Sequence, residues 1–144
     1  MFNESIDERL TQWARHRKNI EHSTAPFEDV WLFWKSAPYI HYNALLDHYY
    51  QKSWPSPWEI IVHNKYDDFT KAVMIGTTLK LTDRFKDSTI KVETYVDSTK
   101  KSVYNIVNID DAWIINYNDN GPVSLTDLPE NFYLENSIEL KNLN

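Results

Sequence analysis

The sequence predicts an α+β fold: N-terminal helices, then a central helix packed on a three- to four-stranded antiparallel sheet. Three observations carry this. Apolar residues recur every three or four positions through most of the first half, which is helical periodicity. From residue 90 the apolar period drops to two, as in half-buried strands. The links between the period-two segments, "DSTKKS" and "DD", are too short for a crossover, so neighbouring strands must run antiparallel. The 144 residues fit a single domain, with a helical part over 1–52 and a helix plus sheet over 53–144.

The first helix is expected over 4–22. Ile6, Leu10, Trp13, Arg17 and Ile20 line up on one face, and Ser5 or Asn3 can cap it. Its basic end, Arg15 to Lys18, reads either as an anion-binding patch or as a solvated face, and the mixture with acids favours the latter. "STAPFEDVWLFWKSAP" is a second helix, with Thr24 as N-cap and Pro26 in the first turn. "PYIHYNALLDHYYQ" is a third candidate, with Ile40, Leu45, Leu46 and Tyr49 as its core face.

"SWPSPWEIIVHN" has the strongest local signature. Ser56 as N-cap, Pro57 as first helical residue and Glu59 at N3 make a capping box. Trp54 and Trp58 flank it, either clamping the turn against the body or walling an aromatic cleft; packing is the simpler role. A central helix follows over 67–79, with Gly76 inside it marking close helix–sheet contact. Strands are expected near 90–97, 103–109 and 112–117, with a further short one near Phe132 to Leu134.

Composition removes several chemistries. With two glycines, neither a dinucleotide-binding G-x-G-x-x-G nor a P-loop can be written. With no cysteine there is no thiol nucleophile, disulfide or thiolate metal site. A formal charge of −6 disfavours nucleic acid, so no sequence-specific nucleic-acid partner is expected. No apolar run reaches the length of a membrane span, and no membrane partner is expected. His41 and His48, seven apart, and His16 and His22, six apart, lack the i, i+4 spacing of a helical zinc site, so no metal or other cofactor is expected. The pairs Asp67–Asp68 and Asp110–Asp111 read as a helix first turn and a hairpin turn, because adjacent helical carboxylates diverge. The excess of Asn, Ile, Lys, Tyr and Asp fits an AT-rich genome, viral or bacterial.

The order of a buried helix and then three antiparallel strands, over roughly Trp54 to Tyr117, resembles the core of the transglutaminase-like and papain-like group. In that group a Cys opens the helix, a His sits on the second strand and Asp or Asn on the third. Laid on this chain, those places fall at Asp67, near Asn105 and near Asn116. The resemblance therefore implies a scaffold without its thiol chemistry, since neither nucleophile nor base is present. "WPSPWEII", the following "NKYDDFTKA" and "YNIVNIDDAWIINY" are similar to small uncharacterised proteins of contractile-tailed phages of marine bacteria. Those relatives often carry a Cys where this chain has Asp67.

The function this implies is a non-enzymatic phage protein acting through protein–protein contacts, as a minor virion component. Its partners would be phage structural proteins or further copies of itself, and its location the virion or the cytoplasm of the infected host. The aromatic residues Trp31, Trp34, Trp54 and Trp58 are the interaction candidates, because a small aromatic-rich chain carries more apolar surface than it can bury alone. Two alternatives stand beside it: a carboxylate- or metal-dependent hydrolase, and an effector that binds a host protein.

Overall fold

A computed structural model describes residues 1–141; the last three positions of the expected domain, 142–144, lie outside the described residues. The architecture is α+β. Four helices, α1 (Ile6–His22), α2 (Pro26–Lys35), α3 (Pro57–His63) and α4 (Asp68–Lys80), precede five strands. These are β1 (Ile90–Asp97), β2 (Val103–Ile109), β3 (Trp113–Ile115), β4 (Val123–Ser124) and β5 (Phe132–Glu139). The sheet is antiparallel, in the order β4-β3-β2-β1-β5, one strand larger than expected.

Helix α4 is the hub. It has buried residues on every side, from Phe69 through Leu79, because α1 and α2 cover one flank and the sheet the other. Gly76 permits the sheet contact. A Cβ there would stand 2.6 Å from Leu140 Cδ1 and 3.2 Å from Ile90 Cγ2. The sheet face turned to α4 carries Ile90, Val92 and Thr94 of β1, paired with Ile109, Val107 and Asn105 of β2.

Local chemistry sets the boundaries. Ser56 and Glu59 form the expected reciprocal capping box at α3, and Asn64 ends that helix in the left-handed region at φ 56°. Arg9 reaches across from α1 to the same end, donating to the carbonyls of Ile61 and Val62. The Asp110–Asp111 pair is a tight turn with both residues left-handed, at φ 54° and 55°, and Ala112 N–H closes it on Ile109 O at 3.0 Å. That is the turn geometry whose twist suits a hairpin.

The third helix expected over 38–51 does not form. Tyr39 and Tyr66 make an isolated parallel bridge, with Ile40 N–H on Tyr66 O and Tyr66 N–H on Pro38 O, which holds the start extended. Asn43 Oδ1 then accepts from Leu45 N and Asp47 Oδ1 from Tyr49 N, so short polar side chains capture the amides a helix needs. Only Gln51–Ser53 winds, as a 3₁₀ turn. Of the supposed core face, Leu46 is buried while Leu45 and Tyr49 are exposed.

Three smaller corrections follow. Helix α2 is capped at Ala25 with no side-chain bond, not at Thr24. The buried face of α1 is Arg9, Trp13, His16 and Ile20, with Ile6 exposed. At the basic end of α1, Arg15 and Lys18 are exposed as a solvated face requires, but His16 stacks on Phe33 at 3.9 Å, and Arg17 lies over the Trp13 ring at 4.4 Å.

Candidate functional site

The helix start singled out by the sequence has two neighbouring carboxylates with opposite fates. Asp67 is the N-cap of α4 in extended conformation, so its side chain curls back over the first turn. Oδ1 accepts from Thr70 N at 2.7 Å and Thr70 Oγ1 at 2.6 Å, while Oδ2 accepts from Asn43 N at 2.8 Å. Asp67 is buried, and its charge meets the free N–H groups of the helix end. Asp68, the first helical residue, points elsewhere and is exposed.

It is Asp68 that shares a cavity with Asn105 and Asn116. The cavity, about 230 Å³, lies where α4 meets the ends of β2 and β3, and Trp31, Lys35, Lys71 and Tyr104 also line it. Asn116 closes β3 in the left-handed region, at φ 73°, which ends that strand before the expected residue 117. Its amide donates to Asn105 O at 2.9 Å and to Asp68 O at 3.4 Å, tying strand to helix. Asn105 Oδ1 accepts from Thr94 Oγ1 at 2.9 Å across the β1–β2 pair. The structure thus brings Asn105 and Asn116 to the start of α4, with Asp68 in place of the expected Asp67.

Chemically the cavity is polar and mixed in charge. Lys35 and Lys71 oppose Asp68 and Asp119, and Lys35 Nζ lies over the Trp31 ring at 4.9 Å. Among the described residues, no histidine lines it. Tyr117, also in the lining, packs with Tyr104 and Phe132, and burial followed by the Tyr104 and Asp97 neighbours raises its phenol pKa. Among the described residues, no three His or acidic side chains converge as a metal site. His48 stacks on Phe69 at 3.7 Å, in a segment that is not helical, so the His41–His48 spacing has no helix to act on.

A second polar cluster lies on the other face of the sheet, and sequence reasoning missed it. Asn108 Nδ2 donates to Glu93 Oε1 at 2.7 Å and to Asp111 Oδ1 at 3.0 Å. Ser137 Oγ donates to Glu93 Oε2 at 3.2 Å, so both Glu93 oxygens are occupied. Tyr95 donates to Glu93 at 3.5 Å; burial and that carboxylate raise its phenol pKa. Alternation along β1 puts Glu93 on the face opposite Ile90, Val92 and Thr94, and there it is only 4% exposed.

The four interaction candidates separate clearly. Trp34 is fully buried and cannot meet a partner, which corrects that assignment; its indole N–H is held by Thr78. Trp31 is half-buried, with Gly121 against its ring. Trp54 is half-buried, its Nε1 donating to Asp47 O, and Trp58 is 42% exposed while standing edge-on to Trp13. Trp54 and Trp58 share a second cavity, about 370 Å³, between α3, α4 and the end of β5. Both indoles pack edge-on against core aromatics, Trp54 on Phe69 and Trp58 on Trp13, and the same two also wall this cleft.

No protein-family model matches this chain, and no curated protein matches it either. Fold and side-chain geometry are therefore the basis for function.

Proposed function

We propose that this chain is a non-enzymatic phage protein that works through protein–protein contacts, as a minor component of the virion. The observation that supports it best is the state of Asp67. At the position that aligns with the nucleophile of the resembling thiol enzymes, this carboxylate accepts three hydrogen bonds, two from Thr70 that cap α4 and one from Asn43 N that ties the helix start to the preceding segment. It is a structural anchor, and Asn105, at the place of the base, has no proton-accepting nitrogen. The apolar surface points toward contacts: Trp58, Val62, Leu32 and the run Tyr39, Tyr42, Tyr49 and Tyr50 are all exposed.

A carboxylate hydrolase would need an accessible acid pair. Glu93 and Asp111 are joined through Asn108, but Glu93 is buried under its own hydrogen-bond donors. That arrangement favours sheet cohesion over catalysis. The host-directed effector uses the same exposed surfaces and differs in location.

Quantitative mass spectrometry of purified particles separates these readings. A small, fixed copy number per particle is expected. Absence from particles with accumulation in the infected cytoplasm would favour the effector. Turnover of peptide or amide substrates, abolished by Asp67→Asn or Glu93→Gln in a folded variant, would overturn the non-enzymatic reading.

A further inference from the structure

The cavity beside Trp54 and Trp58 combines features that specify an occupant. Its walls are apolar, formed by the two indoles and by Leu140 at the end of β5. Its charged lining residues, among those described, are Lys80 and Lys141, both cations, on a chain whose net charge is −6. Lys80 is held in place by donating to Ser88 O at 2.6 Å. The aromatic wall is preformed: Trp54 is fixed by its bond to Asp47 O, and the capping box holds the turn that carries Trp58. A rigid, half-exposed tryptophan at the edge of an apolar groove is the usual anchor of a peptide contact.

From this geometry we infer that the groove receives a peptide segment of a partner protein, one apolar anchor residue flanked by acidic side chains. The anchor packs between Trp58 and Leu140, and the acids face Lys80 and Lys141. Gln51 and Thr77 also line the groove. Their amide and hydroxyl suit a peptide backbone, whereas an acyl chain has no use for them. The inference rests on the protein-contact reading and names the chemistry of the partner.

The test uses the full chain and the aromatic sulfonate ANS, itself an apolar anion, as a reporter of the groove. Short capped peptides carrying one Leu or Phe between acidic residues are compared with versions bearing lysines instead. Acidic peptides are expected to displace ANS at about tenfold lower concentration than their basic counterparts, with the difference shrinking in salt. Lys141→Glu, a surface change, should erase or reverse the preference. Trp58→Ala, checked for folding by circular dichroism, should weaken the acidic peptide by about tenfold or more. Equal displacement by both peptide series, or an unchanged preference in Lys141→Glu, overturns the inference. So does displacement by decanoate but by no peptide, which marks a small amphiphile as occupant. A dimer seen by sedimentation and dissolved by Trp58→Ala would assign the groove to a second copy, and overturns it too. Particle copy number is read separately. A protein that stays in particles while failing the peptide test loses the groove assignment alone; one that passes the peptide test but is missing from particles loses only the virion reading.

Discussion

Trp13 and Trp34 share one hydrogen-bond acceptor: both indole Nε1–H groups donate to Thr78 Oγ1, at 3.0 and 3.1 Å. Thr78 in turn donates to Met74 O at 2.6 Å, and all three side chains are fully buried. One hydroxyl on α4 thereby satisfies a tryptophan from each of the two covering helices. Replacing Thr78 by Val keeps the shape and strands two buried N–H groups. The expected cost is about 2–6 kcal/mol, from roughly 1–3 for each of the two orphaned donors. Thr78→Ser, which keeps the oxygen, should lose about 1 kcal/mol or less. Urea unfolding of the three proteins checks this, and a Val variant as stable as the Ser variant would mean the indoles find other partners.

Asp67 should behave as an anchor. Asp67→Ala removes an N-cap and leaves Asn43 N–H without its acceptor, so a loss of about 2–4 kcal/mol is expected. Asp67→Cys should cost nearly as much, because a thiol is a weak acceptor. It should also gain no amide turnover, since Asn105 cannot take up the proton that a thiol nucleophile must lose. Acyl-enzyme formation by Asp67→Cys, seen as a mass increase with an activated amide, would show that the resemblance to thiol enzymes extends to a usable base.

Much of the fold was readable in the sequence where a local device sets it. The Ser56–Pro57–Glu59 start, the Asp110–Asp111 turn and the period-two strands each depend on residues adjacent in sequence. The failures lie where tertiary partners override pattern. Arg9 and His16 occupy the buried stripe of α1 because the carbonyls at the end of α3 and the ring of Phe33 receive them, which no periodicity of apolar residues reveals. Strand β5 lies at a sheet edge, with a register shift opposite Thr94 and Tyr95, so its alternation is broken and only its first residues read as strand. For the cavity, the register that pairs Thr94 with Asn105 was implicit in the hairpin, whereas Lys35 arrives from α2 and has no local signal. The shift from Asp67 to Asp68 follows from the N-cap turning its side chain back into the helix, a detail visible only once the cap is located.

Gly76 should tolerate alanine poorly despite the better helix propensity. Alanine contributes about 1 kcal/mol to an exposed helix, but overpacking a core typically costs about 1–3 kcal/mol. The nearest atom, Leu140 Cδ1 at 2.6 Å, is the tip of a side chain and can swing away; Ile90 Cγ2 at 3.2 Å belongs to a β-branched residue in the middle of the contact. A net loss of about 1 kcal/mol is expected. In a Leu140→Ala background the same change should cost less, and a double-mutant cycle measures the difference. Equal costs in the two backgrounds would show that Ile90, not Leu140, limits the approach.

His16 should make the protein acid-sensitive. Its imidazole is buried between α1 and Phe33, and Nε2 has no hydrogen-bond partner among the described residues. Burial pushes its pKa down to about 4, against a smaller opposing pull from Asp29. The unfolded chain, with an ordinary histidine near 6.5, therefore binds more protons than the folded one between these values. Stability from this site is fully present above about pH 6.5 and is lost as pH falls toward 4, by on the order of 2–3 kcal/mol. Carboxylates titrate at the lower end of this window, so a variant is needed to isolate the histidine. His16→Phe keeps a ring against Phe33 and cannot take a proton. Urea unfolding between pH 7.5 and 4.5 should show a shallower decline in His16→Phe than in the parent, with the two curves diverging most between about pH 6 and 4.5. Parallel curves would mean that the imidazole is protonated in the folded state and that its stacking on Phe33 is that of a cation on a ring.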